Sequence, residues 1–188
     1  MQKARKPNRL IGYDYSRNAL YFITTCVQDR VCCFGMIENE RMVLYEYGKI
    51  AEQQWFWLQR QYPFVVLHSM AVMPNHIHGI IEIDDAIIGV GVGTGHVVAT
   101  GRDLSLRNVR NVRDERRERP TIKIKSLSEL MGAYKTTTSK QIHLAGRRDF
   151  KWQRSFHDHI IRNEHSYLHI SDYIQNNPLN WKEDLFYR

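Results

Sequence analysis

The chain has 188 residues, a length that suits one domain able to bury a hydrophobic core without disulfides or structural metals. Its hydrophobic fraction of 43% and charged fraction of 25% are typical of a globular protein, and no apolar run is long enough to predict a membrane span. The net charge of +7 favours a polyanionic partner such as nucleic acid, with a basic protein lacking such a partner as the alternative.

The three cysteines are Cys26, Cys32 and Cys33. An odd number with an adjacent pair favours a reducing compartment over a disulfide framework, and the lack of a Cys-x-x-Cys motif argues against a zinc ribbon. The first ten residues are basic but lead into no apolar segment, so no secretory signal is expected. We therefore predict a cytoplasmic protein without a membrane partner.

Hydrophobic periodicity predicts the secondary structure in chain order. Runs of β-branched and aromatic residues predict strands at residues 19–27, 64–73 and 156–161, a strand after Pro74 that ends near Ile83, and a hairpin of residues 33–37 and 42–44. Helices are predicted at residues 47–60, at 126–143 after a capping box formed by Ser126 and Glu129, and at 164–177 before Pro178. This order predicts an α+β sandwich, an antiparallel sheet with helices on one face.

Residues 84–120 differ in composition from the rest of the chain. They contain four glycines at alternate positions from Gly89, followed by a dense run of charges at residues 113–120. The glycines do not fit Gly-x-Gly-x-x-Gly, because Thr94 and His96 occupy two of the required positions. We interpret the segment as a flexible insertion, with a short strand at most, within a single domain of residues 1–188.

His76 and His78 form the most informative motif of the chain. One apolar residue separates them within a predicted strand, so both rings lie on the same face of that strand. Two neutral imidazoles on a rigid strand can bind a divalent metal, which in turn can polarise a phosphoryl or carbonyl oxygen. The alternative is a structural pair of hydrogen-bonded histidines.

Tyr173 and Asn177 lie four residues apart on the last predicted helix and therefore project from one side of it. A tyrosine hydroxyl can form a covalent phosphotyrosine, and an amide oxygen can bind Mg²⁺ or Mn²⁺. If this helix packs beside the histidine strand, His76, His78 and Asn177 would bind the metal and Tyr173 would face a phosphate bound there. Alternatively, Tyr173 is a core residue and Asn177 only ends the helix before Pro178. The rival nucleophiles are Tyr134, Tyr167 and Tyr187.

The two motifs resemble those of a known family. Residues 72–78 (VMPNHIH) are similar to the HUH motif of the single-tyrosine transposases of the insertion-sequence 200/605 type. Residues 172–178 (DYIQNNP) resemble the nucleophile helix of the REP-associated tyrosine transposases, a branch of that family. Residues 152–154 (WQR) and 158–162 (DHIIR), followed by Glu164, fit the same branch. The resemblance extends over nearly the whole chain apart from residues 84–120.

This resemblance implies a ferredoxin-like or RRM-like sheet and an endonuclease and strand transferase that acts on single-stranded DNA. Tyr173 would attack the scissile phosphate and leave a 5′-phosphotyrosine and a free 3′-hydroxyl. Mg²⁺ or Mn²⁺, held by His76, His78 and Asn177, would stabilise the developing charge. The expected substrates are DNA hairpins of REP-like or transposon-end sequence, processed by a monomer or homodimer. Members of this branch are often immobile, so hairpin processing describes the expected activity better than transposition.

Four cations are predicted to contact DNA. Lys135 and Lys140 lie on the polar side of a predicted helix, and Arg154 and Arg162 belong to the motifs that carry the resemblance. A solvated surface is the alternative for the lysines. The remaining C-terminal histidines lack a clear ligand spacing and are interpreted as surface or packing residues: His157, His159, His165 and His169.

Two other functions remain open at the level of sequence. The first is a noncatalytic nucleic-acid-binding module of RRM-like fold, in which Tyr21 and Phe22 would stack on bases. The second is a cupin-type metalloenzyme, because His76, His78 and Glu82 match half of the first cupin motif. Met70 occupies the place of that motif's leading glycine, and three predicted helices do not suit a small barrel.

Overall fold

The structure is a computed structural model that describes residues 9–89 and 122–187. In chain order its elements are β1 (Ala19–Cys26), β2 (Gly35–Glu38), β3 (Arg41–Leu44), α1 (Glu46–Gln61), β4 (Val65–Val72), β5 (His76–Ile83), α2 (Ala86–Gly89), α3 (Leu127–Leu144), β6 (His157–Ile161) and α4 (Glu164–Asn176). Short 3₁₀ turns occur at Gln28–Arg30 and Trp181–Glu183. Each predicted element occurs within two residues of its predicted bounds.

The strands form an antiparallel sheet in the order β4-β5-β1-β6, and β2 and β3 form a separate hairpin. The predicted α+β class is therefore confirmed. The capping box that begins α3 is also present, because Ser126 and Glu129 each bind the other's backbone nitrogen. Of the predicted insertion at residues 84–120, the structure describes residues 84–89. The remainder, with the short strand allowed there, lies outside the described residues, as do the basic residues 1–8.

The prediction that the helices cover one face of the sheet is wrong. Side chains of β5 alternate between the two faces, and Ile77 and Ile81 pack in a large core that includes residues of α1 and α3. On the opposite face Ile80 packs with Ile174 of α4 in a second, smaller core. The physical reason is that β5 is apolar at its odd positions and carries Ile80 and two histidines at its even positions, so side chains on both of its faces are buried.

Gly79 allows α1 to pack closely on the centre of β5. A Cβ added at this position would lie 2.3 Å from Cζ2 of Trp55, whose side chain is fully buried. We expect Gly79→Ala to lower the free energy of unfolding by about 1–3 kcal/mol through overpacking. Urea denaturation should show a lower midpoint with an unchanged slope.

The matched control is Gly132→Ala in α3. A Cβ added at Gly132 would have no heavy atom within 4 Å, so alanine should stabilise this helix by roughly 0.5–1 kcal/mol. Equal effects of the two substitutions would contradict the proposed close packing at Gly79.

None of the described helices is long and apolar enough to span a lipid bilayer.

Candidate functional site

His76 and His78 lie at the start of β5 and point to the face covered by α4. Their side chains are 0% and 1% exposed, and their Nε2 atoms are 2.9 Å apart. Burial, with smaller contributions from His78 and Arg30, lowers the pKa of His76 to about 2. Burial also lowers the pKa of His78 to about 4, against the opposing effect of the Asp184 carboxylate. Both imidazoles are therefore neutral at pH 7, which is the form that binds metals.

Asn75 determines which nitrogen of His76 carries the proton. The Asn75 amide nitrogen donates to the backbone carbonyls of Arg30 and Phe186, at 3.1 and 2.9 Å. Because both amide hydrogens are used, the amide oxygen is the atom that faces Nδ1 of His76, at 2.9 Å. An amide oxygen only accepts, so Nδ1 of His76 must donate. The lone pair of Nε2 is thus directed into the site.

Thr24 holds the second histidine. It lies opposite His78 in the β1–β5 register, and its hydroxyl oxygen is 2.8 Å from Nδ1 of His78. When Nδ1 of His78 donates to Thr24, the Nε2 lone pairs of both histidines face the same point. This is the arrangement in which outer hydrogen bonds orient two imidazoles toward one metal ion.

Helix α4 brings Tyr173 to the histidine pair. The Tyr173 hydroxyl is 3.3 Å from Nε2 of His78, and its ring contacts the rings of His78 and Phe22. Tyr173 is 42% exposed, so part of this residue faces solvent beside the buried histidine pair. Burial, followed by the Asp184 carboxylate, raises the pKa of Tyr173. The phenol is therefore protonated at neutral pH.

The rival tyrosines lie elsewhere. Tyr134 is fully buried on the opposite side of the sheet, where its hydroxyl donates to the carbonyl of Ala51. The Tyr167 hydroxyl lies 3.2 Å from Nδ1 of His68, and the ring of Tyr187 packs on Trp181. Among the four candidate tyrosines, Tyr173 has its hydroxyl at the histidine pair.

Asp184 is a site residue that sequence reasoning missed. Ligand atoms of His76, His78 and Asp184 lie within 4.8 Å of one another, close enough to bind one metal ion. The Asp184 carboxylate also accepts from the Asn177 amide nitrogen at 3.0 Å and lies 3.4 Å from the Tyr173 hydroxyl. No periodicity links Asp184 to the other residues, so its position seven residues after Asn177 was the only available signal.

Asn177 is also at the site, although its amide nitrogen faces Asp184. The residue is 2% exposed, and its side-chain oxygen has no hydrogen-bond partner among the described residues. A buried acceptor without a donor costs about 1–3 kcal/mol, and a metal ion or a metal-bound water would satisfy it. Two imidazoles, one carboxylate and this oxygen therefore fit a divalent cation.

The segment that follows the turn Trp181–Glu183 encloses the site. The ring of Phe186 lies 4.7 Å from the ring of His76, and its backbone nitrogen donates to Asp184. Arg30 donates to the carbonyl of Leu185 at 3.0 Å. These contacts, together with the bond from Asn75 to Phe186, hold Asp184 beside the histidines.

The four cations predicted to contact DNA do not all lie together. Lys135, Lys140 and Arg154 line one groove, beside α3, whereas Arg162 lines a separate cavity near the start of α4. Glu82 is hydrogen-bonded to His68 at 2.9 Å, away from His76 and His78. Because Glu82 lies away from the two histidines and the sheet is open rather than a closed barrel, the cupin alternative is excluded.

No model of a known protein family matches the sequence, but a sequence relative and a solved structure are similar to the chain. A protein of Haemophilus influenzae, described as uncharacterized, is 33% identical over 187 residues, which is 97% of this chain and 93% of that protein. The chain belongs to the same family as that protein. The structure of a REP-associated tyrosine transposase bound to a REP hairpin aligns with 96% of this chain and 74% of its own. The TM-score is 0.52 at 18% identity, so this chain shares the fold of that transposase.

The role of Asn75 can be tested through metal affinity. We expect Asn75→Ala to weaken Mn²⁺ binding roughly 10- to 100-fold, because residues that orient metal-binding imidazoles have effects of this size. Isothermal titration calorimetry would measure the dissociation constant for Mn²⁺ in each variant. The control is Asn163→Ala, which removes the N-cap of α4 and about 1 kcal/mol of stability without touching the histidines. Equal affinities in both variants would contradict the role of Asn75.

Proposed function

We propose that the protein is a metal-dependent single-stranded DNA endonuclease and strand transferase that acts near DNA hairpins through a 5′-phosphotyrosine intermediate. The observation that carries the proposal is the position of the Tyr173 hydroxyl, 3.3 Å from a histidine of the His76–His78–Asp184 cluster. A nucleophile and a cation-binding site thus share one solvent-accessible position, as phosphoryl transfer requires.

In the proposed reaction, Tyr173 is the nucleophile that forms the covalent intermediate. The Tyr173 oxygen forms a bond to the scissile phosphorus, and the bond from phosphorus to the 3′-oxygen breaks. The raised pKa of Tyr173 means that its proton must be removed, and Oδ2 of Asp184, 3.4 Å from the hydroxyl, would accept it when the other carboxylate oxygen binds the metal. The proton passes finally to the leaving 3′-oxygen. The released 3′-hydroxyl, or that of another strand, reverses the reaction during joining.

His76, His78 and Asp184 would hold the metal, with the unpartnered oxygen of Asn177 as a further ligand. When bound, the cation polarises the phosphate and stabilises negative charge that develops on its oxygens. Because two of the three principal donors are imidazole nitrogens, the site favours Mn²⁺ over Mg²⁺, which prefers an all-oxygen shell.

The substrate class follows from charge and from the shared fold. The net charge of +7 suits a nucleic acid, and the transposase of similar fold is bound to a REP hairpin. We assign the same class of substrate, a DNA hairpin with a single-stranded flank, to this protein.

A covalent-adduct assay tests the proposal. Hairpin oligonucleotides labelled on the 3′ side of the candidate cleavage site are incubated with protein and Mn²⁺, and then separated under denaturing conditions. We expect a labelled adduct that EDTA prevents, with peptide mass spectrometry locating the modification at Tyr173. DNA binding without any adduct in Mn²⁺ or Mg²⁺ would contradict the proposal.

DNA binding without an adduct would favour a noncatalytic binding module. The position of the aromatic residues in the sheet argues against such a module. Tyr21 is fully buried beneath the helices on one face, and Phe22 packs against Tyr173 of α4 on the other. Neither aromatic ring is placed to stack on a base in the way that an open RRM-like sheet requires.

A further inference from the structure

A strongly basic groove lies beside α3, between that helix and residues 148–154. Among the described residues, five basic side chains and no acidic side chain line it: Lys135, Lys140, Arg148, Lys151 and Arg154. We propose that this groove binds the phosphate backbone of the double-stranded stem of the hairpin whose flank Tyr173 cleaves. The inference rests on the proposed function and specifies where the stem lies.

The cations of the groove are of two kinds. Lys135 donates to the backbone carbonyls of Gln153 and Ser155, both at 2.9 Å, and burial lowers its pKa to about 8. It therefore fixes one wall of the groove to the helix. The other four cations are exposed, and no carboxylate among the described lining residues offsets their charge: Lys140, Arg148, Lys151 and Arg154.

The lining favours a duplex over a single strand. Proteins that bind single strands present aromatic rings on which bases stack. Here Phe150 and Trp152 are only 3% and 9% exposed, and they pack against Phe34 in the core. None of the Phe, Tyr or Trp rings among the described lining residues is exposed, and the exposed imidazole of His143 is hydrogen-bonded to the carbonyl of Phe150 at 2.9 Å. The groove therefore offers contacts to phosphates rather than rings for stacking.

The groove adjoins the candidate active site through the backbone. The nitrogen of Gln28 donates to the carbonyl of Lys151, and that of Gln153 donates to Cys26 at the end of β1. Cys26 lies opposite His76 in the sheet. The backbone of residues 151–153 is thus two strand spacings, about 10 Å, from that of His76, while α3 packs on the face of the sheet opposite the histidine pair. The single-stranded flank of a stem in the groove would therefore pass around the end of β1 to reach Tyr173.

A second cavity, which contains Arg162 and Arg17, is a weaker candidate for the same role. Its lining also includes the carboxylates of Glu82, Asp84 and Glu164, which offset its cations. Counterion release requires an excess of clustered positive charge, which the groove beside α3 has.

The test compares two charge-matched triple variants in EDTA, where no cleavage occurs. The groove variant is Lys140→Gln, Lys151→Gln and Arg154→Gln. The control is Arg41→Gln, Lys49→Gln and Arg60→Gln, three exposed cations on β3 and α1. For hairpin DNA, the slope of log affinity against log salt should fall by about 2–3 in the groove variant. The control should bind with nearly the wild-type slope.

A single-stranded oligonucleotide of equal length provides the second comparison. We expect the groove variant to lose affinity for the hairpin and to bind the single strand nearly as the wild type does. Equal losses in both triple variants would overturn the groove as a binding site, and equal losses for both DNAs would overturn its assignment to the stem. Because binding is measured without cleavage, a missing covalent adduct would contradict the proposed activity and leave this result standing.

Discussion

Tyr173→Phe is expected to abolish the covalent DNA adduct and to reduce cleavage by roughly a thousandfold or more, as removal of a catalytic nucleophile does in other enzymes. The substitution removes one oxygen and keeps the ring, whose contacts with His78 and Phe22 hold α4 against β5. The variant should therefore fold normally and bind Mn²⁺ and DNA as the wild type does. Cleavage would be measured in single-turnover reactions with labelled hairpin DNA.

Tyr187→Phe is the matched control for this experiment. Tyr187 is 48% exposed, close to the 42% of Tyr173, and it lies on the same segment as Asp184. Its ring contacts Trp181 and not the histidine pair, so its loss should leave the adduct unchanged. An adduct that persists in Tyr173→Phe and disappears in Tyr187→Phe would show that the nucleophile is Tyr187 and not Tyr173.

The parts of the fold that follow from local patterns could be predicted from the sequence. Alternation along residues 76–83 places His76 and His78 on one face, and the capping box of Ser126 and Glu129 begins α3. The spacing of Tyr173 and Asn177 places both on one side of α4. These relations depend on residues close in sequence, which is why the site was recognisable without coordinates.

Relations between distant segments could not be predicted in this way. An irregularity in β4 between Leu67 and Met70 shifts its register against β5. Leu67 and Met70, an odd and an even position, consequently pack in the same core. Asp184 is held beside the histidines by the bonds from Asn75 to Phe186 and from Arg30 to Leu185, and by its own bond with Asn177. Nothing in the residues around Asp184 encodes those tertiary contacts.

His78→Ala is expected to abolish the stabilisation of the protein by metal. A wild-type protein in Mn²⁺ at about a hundred times its dissociation constant should gain roughly 2.7 kcal/mol in the free energy of unfolding. Without His78, the cluster keeps one imidazole and one carboxylate, too few protein ligands to hold the ion tightly. Thermal unfolding of each variant is measured once with Mn²⁺ and once with EDTA, and the difference gives the stabilisation by the metal. A variant that is less stable without metal is less stable in both conditions, so this loss does not affect the difference.

His165→Ala is the control, because His165 is exposed at the start of α4 and lies outside the cluster. The Mn²⁺ shift of this variant should equal that of the wild type.

Two further variants separate the contributions of the remaining ligands. Asp184→Asn should reduce the shift strongly because it removes the only carboxylate of the cluster, whereas Asn177→Ala should reduce it less because a water can replace a neutral oxygen. A full Mn²⁺ shift in His78→Ala would show that the metal binds away from His78 and therefore away from the Tyr173 hydroxyl, which lies 3.3 Å from Nε2 of His78.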